Sequence, residues 1–138
     1  MSATLTQDDL QVIKVVEEKT GAKASDVIAS DEEIVMIFPP GEAGKAIGKE
    51  GANLIKLREF FKKPVIVFND ANTPEEFIKK VLHKSKVVDI QMESEGKKAI
   101  ITVDPETKGV AIGKQGANKK RLKMLMNRKF GFDDVKII

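Results

Sequence analysis

The chain repeats itself. When the sequence is slid 65 residues along its own length, Gly-Lys-Ala-Ile-Gly-Lys-Glu-Gly-Ala-Asn-Leu-Ile-Lys-Leu-Arg at 44–58 overlays Gly-Val-Ala-Ile-Gly-Lys-Gln-Gly-Ala-Asn-Lys-Lys-Arg-Leu-Lys at 109–123, and 9 of the 15 positions are identical. Ordinary composition gives about one match. The likeness continues more faintly upstream, where Thr6-Gln-Asp-Asp-Leu10 corresponds to Thr73-Pro-Glu-Glu-Phe77. A chain of 138 residues filled by two copies of one unit has to build two small cores rather than one large one. The expected units are 1–70 and 71–138, with the boundary near 69–73.

Both copies show the same order of elements. Thr6 and Thr73 are N-cap candidates with Asp9 and Glu76 three residues on, the spacing of a capping box; because the box prefers Glu or Gln, the Asp9 version is expected to be the weaker. Leu10, Ile13 and Val16, and Phe77, Ile78, Val81 and Leu82, then recur at helical spacing. Pro74 suits a first helical position. Hairpins follow: Asp26–Ala29 with Ile34–Phe38 around an acidic turn, and Val88, Ile90 and Met92 alternating before a Ser94–Gly96 turn and Ala99, Ile101 and Val103. Pro39-Pro40 and Asp104-Pro105 stop the second strand of each hairpin. A glycine-punctuated segment leads into a helix whose core side should hold Leu57, Phe60 and Phe61, or Leu122, Leu125 and Met126. Val65–Phe68 and Val135–Ile138 close the units as strands. The fold expected is therefore α+β: two units, each a three-stranded sheet covered on one face by helices.

Composition removes several kinds of chemistry. With no Cys and the single His83, there is no disulfide framework, thiolate nucleophile or multi-histidine metal site, and no cofactor or catalytic role is expected. The longest aliphatic and aromatic run, Ile34–Phe38, is far short of the roughly 20 residues that span a bilayer. The first ten residues lack a basic stretch followed by an apolar one, so a cytoplasmic address is expected. Aromatic residues make up 5% of the chain, all Phe, which makes base stacking on exposed rings a poor mechanism. Charge is unevenly shared: residues 1–70 carry 9 basic and 12 acidic side chains, and residues 71–138 carry 15 and 9. A basic half invites a polyanionic partner.

Seven of the ten glycines lie in or just before the repeated segments. In the shared core Ile-Gly-Lys-x-Gly-Ala-Asn, Gly48 and Gly51, or Gly113 and Gly116, bracket two residues at a turn between helices. Without Cβ such a turn takes torsions closed to other residues and lets a phosphodiester lie against the main chain. The N–H groups that open the next helix then face the phosphate, and Lys49 or Lys114 adds a full charge. Glycine-rich turns between helices are common without any ligand; the Lys inside both copies points beyond structure.

With these residues in view, the segment resembles the GXXG loop of KH domains, here Gly48-Lys49-Glu50-Gly51 and Gly113-Lys114-Gln115-Gly116. The element order, with an extra helix and strand in front, is similar to the type II KH arrangement. Two such units filling the chain resemble the archaeal NusA-like transcription termination and antitermination factors. The resemblance implies binding of single-stranded RNA, whose backbone such loops clamp over about four nucleotides, and association with RNA polymerase during elongation, pausing or termination. Carried over by position, it implies that Gly48, Lys49, Gly51, Gly113, Lys114, Gln115 and Gly116 hold phosphates while Ile47 and Ile112 shape an apolar groove. Asn53 and Asn118 lie just past the loop, where an amide either meets a base or sugar or caps the helix. Lys119, Lys120 and Arg121 extend the basic surface. A monomer is expected.

The copies are unequal. Residues 108–129 carry eight basic side chains and no acid, whereas 44–63 carry six with Glu50 and Glu59. The second unit should therefore grip RNA harder. Leu54-Ile55 stands where the second copy has Lys119-Lys120, which opens the alternative that the first unit docks on the other copy or on a protein. A ribosome-associated or RNA-processing KH factor is the other alternative. Nucleotide-dependent catalysis fits poorly: both loops lack the upstream Gly and the downstream Ser or Thr of a Walker A loop, and Ala46 stands where a dinucleotide fingerprint needs its first Gly.

Overall fold

The computed structural model describes residues 6–93, 95 and 97–138; Ser94 and Gly96 of the expected hairpin turn lie outside the described residues. The chain divides into two compact units between Ala71 and Asn72.

In the first unit the order is α1 (Gln7–Thr20), β1 (Asp26–Ala29), β2 (Ile34–Phe38), α2 (Ala43–Ile47), α3 (Ala52–Phe61) and β3 (Val65–Asn69). The sheet runs β1-β2-β3, with β1 antiparallel and β3 parallel to the central β2. Parallel pairing of β2 and β3 requires a crossover, and the α2–α3 pair supplies it. Ile34, Met36 and Phe38 of β2 point into a core shared with Ile13, Val16, Val27, Ala43, Ala46, Leu57 and Val65. Val35 and Ile37 of the same strand are buried as well.

The second unit repeats this plan with α4 (Pro74–Val81), β4 (Val87–Glu93), β5 (Lys98–Val103), α5 (Lys108–Ile112), α6 (Ala117–Phe130) and β6 (Asp134–Ile137). Its sheet runs β4-β5-β6, with β5 antiparallel to β4 and parallel to β6. Phe77, Ile78, Val81, Ala99, Ile101, Val103, Leu122, Leu125, Met126 and Val135 are buried, and Phe130 meets Phe77 edge-on at 5.8 Å. The molecule is thus α+β with two three-stranded sheets and a matching set of helices on each. No helix among the described residues is long and apolar enough to cross a membrane.

Several expectations change in detail. The complete capping box is the Asp9 one: Asp9 N–H donates to Thr6 Oγ1 at 3.1 Å and Thr6 N–H donates to Asp9 Oδ2 at 3.0 Å. At Thr73 the described bond is the single one from Glu76 N–H, at 3.2 Å. Val88 does not share a face with Ile90 and Met92. A register shift between Val87 and Asp89 on the edge strand leaves it out of the ladder, and it is 62% exposed. Leu10 is 53% exposed because the stripe that α1 buries is centred on Ile13 and Val16. Phe60, expected in the core, is 52% exposed. On α3 the inward stripe is Leu54, Leu57 and Phe61, and Phe60 sits on its shoulder, edge-on to Phe61 at 5.0 Å with Lys19 Nζ 4.5 Å above its ring. Leu54 is partly buried against its own unit's core.

The helix ends differ in a way that can be measured. After α6 the chain turns through Gly131 at φ 74, whereas after α3 it turns through Lys62 at φ 57, a left-handed conformation that costs a residue with Cβ about 1 kcal/mol. Lys62→Gly is expected to stabilise the protein by about 1 kcal/mol in urea denaturation, and Gly131→Lys to destabilise it by a similar amount.

Candidate nucleic-acid interface

Each repeated segment folds as helix, bend, helix, and the bend has one trace in both units. Gly48 stands at φ 77, ψ 174 and Gly113 at φ 81, ψ 169, a region essentially reserved for glycine. The short turns Lys49–Gly51 and Lys114–Gly116 follow, and their last two residues are left-handed: Glu50 (φ 56) and Gly51 (φ 77), or Gln115 (φ 57) and Gly116 (φ 74). The glycines are legible in sequence. The left-handed Glu50 and Gln115 are not, because a local hydrogen-bonded turn overrides their own preference. Gly51 N–H donates to Gly48 O, and Gly116 N–H to Gly113 O, each at 3.1 Å.

The two glycines of a bend do different work. A Cβ on Gly51 or Gly116 would meet nothing within 4 Å, so these positions are chosen by torsion alone. A Cβ on Gly48 would lie 2.8 Å from the Asn53 side chain, and one on Gly113 would lie 2.8 Å from both Cβ and backbone nitrogen of Asn118. The asparagines fill the space the glycines leave. Asn53 Nδ2 donates to Lys45 O at 3.0 Å, and Asn118 Nδ2 to Ala111 O at 3.1 Å. Neither caps the helix that follows, since α3 and α6 begin without a side-chain cap; each amide instead donates to a carbonyl in the last turn of the helix before the bend.

That preceding helix is anchored differently in the two copies. Ala43 N–H of α2 donates to Oδ1 of Asn69 at 2.9 Å, which the pairing of Asn69 with Phe38 on the sheet brings into reach. Before α5 a 3-10 turn, Pro105–Thr107, is capped instead by Asp104 Oδ1, which accepts from Glu106 N–H at 2.9 Å. Ala46 and Ala111 are fully buried, so the short helices lie close against their units. Ile47 and Ile112 end them half-buried, beside the bend.

Electrostatics separates the copies. Helices α1 and α4 begin with Asp8 and Asp9 or Glu75 and Glu76, acids that complement the positive helix start. Helices α3 and α6 have no acid in their first turn; α6 carries Lys119 and Lys120 there, where cations are unfavourable unless an anion binds. Lys114, Gln115 and Lys120 are exposed, and Lys119 and Arg121 are half-buried. In the first unit the exposed bend residues are Lys49 and Glu50, and Ile55, 53% exposed, occupies the place of Lys120. Basic side chains of 108–129 also make contacts within their own unit. Lys123 Nζ lies 3.5 Å from Asp134, Lys129 Nζ sits over the Phe77 and Phe130 rings, and Arg121 Nη1 donates to Asn118 Oδ1 at 2.9 Å. Asp134 is held below the usual carboxylate range, first by the Val135 N–H and then by Lys123 and Lys98. No pattern in the sequence pointed to Asp134, which reaches α6 only through the pairing of β6 with β5.

Comparison with known proteins agrees with this architecture. Residues 74–137 match the family described as the NusA-like second KH domain. The probable transcription termination protein NusA of Halobacterium salinarum is 33% identical over 99% of this chain and 99% of its own length. The protein of the same name from Methanococcus vannielii is 27% identical over 100% of this chain and 81% of its own length. The crystal structure of APE1850 superposes with a TM-score of 0.89 at 30% identity, covering 97% of this chain and 100% of that one.

The bend geometry sets an order of sensitivity between its glycines. Gly113→Ala meets a forbidden torsion region and a backbone atom at once, and is expected to cost about 3 kcal/mol. Gly116→Ala, facing open space, should cost about 1 kcal/mol. Urea denaturation of both variants checks the order.

Proposed function

The chain belongs to the family of archaeal NusA-like transcription termination proteins, and from that premise we propose that it is an RNA-binding transcription factor whose second bend is the principal grip on single-stranded RNA. The observation that carries this reading is the bend itself: Gly113-Lys114-Gln115-Gly116 bares its main chain at the start of a 14-residue helix whose first turn holds lysines and no acid. A phosphate seated there would receive main-chain N–H groups, the positive end of α6 and the Lys114 ammonium. Lys119 and Lys120 would meet the next phosphates, and Ile112 would offer the bases an apolar flank. Gly48, Lys49, Gly51 and Ile47 supply the same elements in the first unit. There Glu50 sets a carboxylate where the second bend has an uncharged amide, which weakens that grip.

Association with RNA polymerase is part of the same proposal and rests on family membership. The exposed Ile55 in place of Lys120 favours a second role for the first unit, as the side that meets a protein. The RNA so held would be nascent transcript, and its capture at the polymerase would bear on elongation, pausing or termination.

Replacing Lys114 and Gln115 together by Asp removes one cation and sets two carboxylates against phosphate. With charge-assisted contacts near 1.5 kcal/mol each, affinity for single-stranded RNA should fall about a hundredfold, while circular dichroism shows an intact fold. The matching change at Lys49 and Glu50 should cost less; an equal or larger loss would reverse the ranking of the bends. Titration of each variant with labelled RNA decides.

A second expectation concerns salt. If about four to six phosphates are neutralised, log affinity should fall against log salt with a slope near −3 to −4. A flat response would show that the backbone is not what the protein holds.

A further inference from the structure

We infer that Asn118 and Arg121 act on RNA indirectly, as a two-residue clasp that holds the second bend in its phosphate-ready shape, and that neither is a phosphate or base ligand; the inference rests on the reading of that bend as the RNA grip. The clasp is a chain of contacts. Arg121 Nη1 donates to Asn118 Oδ1 at 2.9 Å, and Asn118 Nδ2 donates to Ala111 O at 3.1 Å. Through it α6, beyond the bend, is tied to α5, before it.

Three features make the tie necessary. Helix α5 has five residues, too few to hold helical geometry by its own hydrogen bonds, and its last carbonyls lack intrahelical partners. Gly113 stands at φ 81, ψ 169, torsions essentially closed to a residue with Cβ, and Gln115 is left-handed without being glycine. The Cβ and backbone of residue 118 lie where a Cβ on Gly113 would stand, so the bend is closed on that side. Each partner also fixes the other's chemistry. Because the side facing Ala111 O must donate, the amide presents its oxygen to Arg121, and one guanidinium N–H is committed to it. In the first unit Asn53 makes the corresponding tie, to Lys45 O, but Lys56 stands at the position of Arg121, so the second bend carries the longer clasp.

The test separates positioning from contact through the salt slope. A residue that neutralises a phosphate contributes about 0.7 to the slope on a single strand, whereas one that shapes the loop changes affinity at unchanged slope. Single-stranded RNA of random sequence is titrated at several salt concentrations against the full chain and three variants. Asn118→Ala should weaken binding about tenfold with the parent slope. Arg121→Gln keeps a donor for Asn118 Oδ1 and removes the charge, so it should change affinity no more than about twofold at the parent slope. Lys114→Gln should lose about 0.7 of slope. Amide hydrogen exchange of the free protein supplies a readout independent of RNA: Asn118→Ala should speed exchange at Gly113–Gly116 selectively, with the strands of its sheet still protected.

A slope reduced by about 0.7 in Arg121→Gln would make Arg121 a phosphate ligand and overturn the inference. So would an Asn118→Ala variant with parent affinity, or one whose exchange rises across the whole unit or nowhere. If Lys114→Gln leaves both affinity and slope untouched, the bend is not the RNA grip and the earlier reading fails, while the exchange data still report whether the clasp holds the loop.

Discussion

Everything that distinguishes this molecule depends on a contact made by an atom that is absent. At Gly48 and Gly113 the backbone takes torsions that a side chain forbids, and the vacated volume is filled by the asparagine five residues on. That packing lets two helices meet across four residues. It also exposes the main chain between them, which a phosphodiester can approach. A β-carbon at either position would push on Asn53 or Asn118, and the push would pass to Lys45 O or Ala111 O and so to the short helix. Conformation, packing and ligand access at the bend are thus one constraint.

With that constraint met twice, the copies diverge around it. The backbone traces of the bends agree within a few degrees at every torsion recorded for them, yet their charges do not. Lys45 is drawn into an ion pair with Glu42 at 3.2 Å in the first unit, while the corresponding Val110 is uncharged and exposed. Glu50 answers Gln115, and Ile55 answers Lys120. Surface substitutions of this kind leave the fold nearly unaffected but reset the potential over the bend, because each charge lies within a Debye length of it. The two bends therefore share one shape and differ in the charge around it.

Much of this was legible in sequence because it is locally encoded. β1 and β2 were bounded correctly by their β-branched runs and by Pro39-Pro40, and the Thr6 and Thr73 starts are read from four residues each. The bend glycines were visible because the chain states them twice. What escaped was set by tertiary contact. Asn69 reaches α2 across 26 residues through parallel strand pairing, and Asp134 disarms Lys123 only once β6 lies beside β5. The ejected Val88 reflects a ladder irregularity that alternation cannot reveal. Phe60 was misplaced because spacing alone does not say how wide a stripe a ten-residue helix buries. Asn118 and Arg121 were found as residues of interest but not as a pair, since the proton direction along Arg121, Asn118 and Ala111 O emerges only from their geometry.

The strain in the bend also explains why it is useful. A flexible glycine loop could wrap a phosphate, but ordering it on binding would subtract from affinity. Here the ordering is done beforehand, by the Gly116 N–H to Gly113 O bond within the bend and the Asn118 tie to Ala111 O. Gln115 is informative in this respect. A glycine there would remove the left-handed penalty but restore freedom to the unbound loop, so a residue with a side chain is the better choice for a surface that must be in shape before its ligand arrives. The same reasoning accounts for lysines in the first turn of α6, opposed to the helix dipole. A charge arrangement mildly unfavourable in the free protein would become favourable with an anion at the bend, as the proposed role of that bend requires.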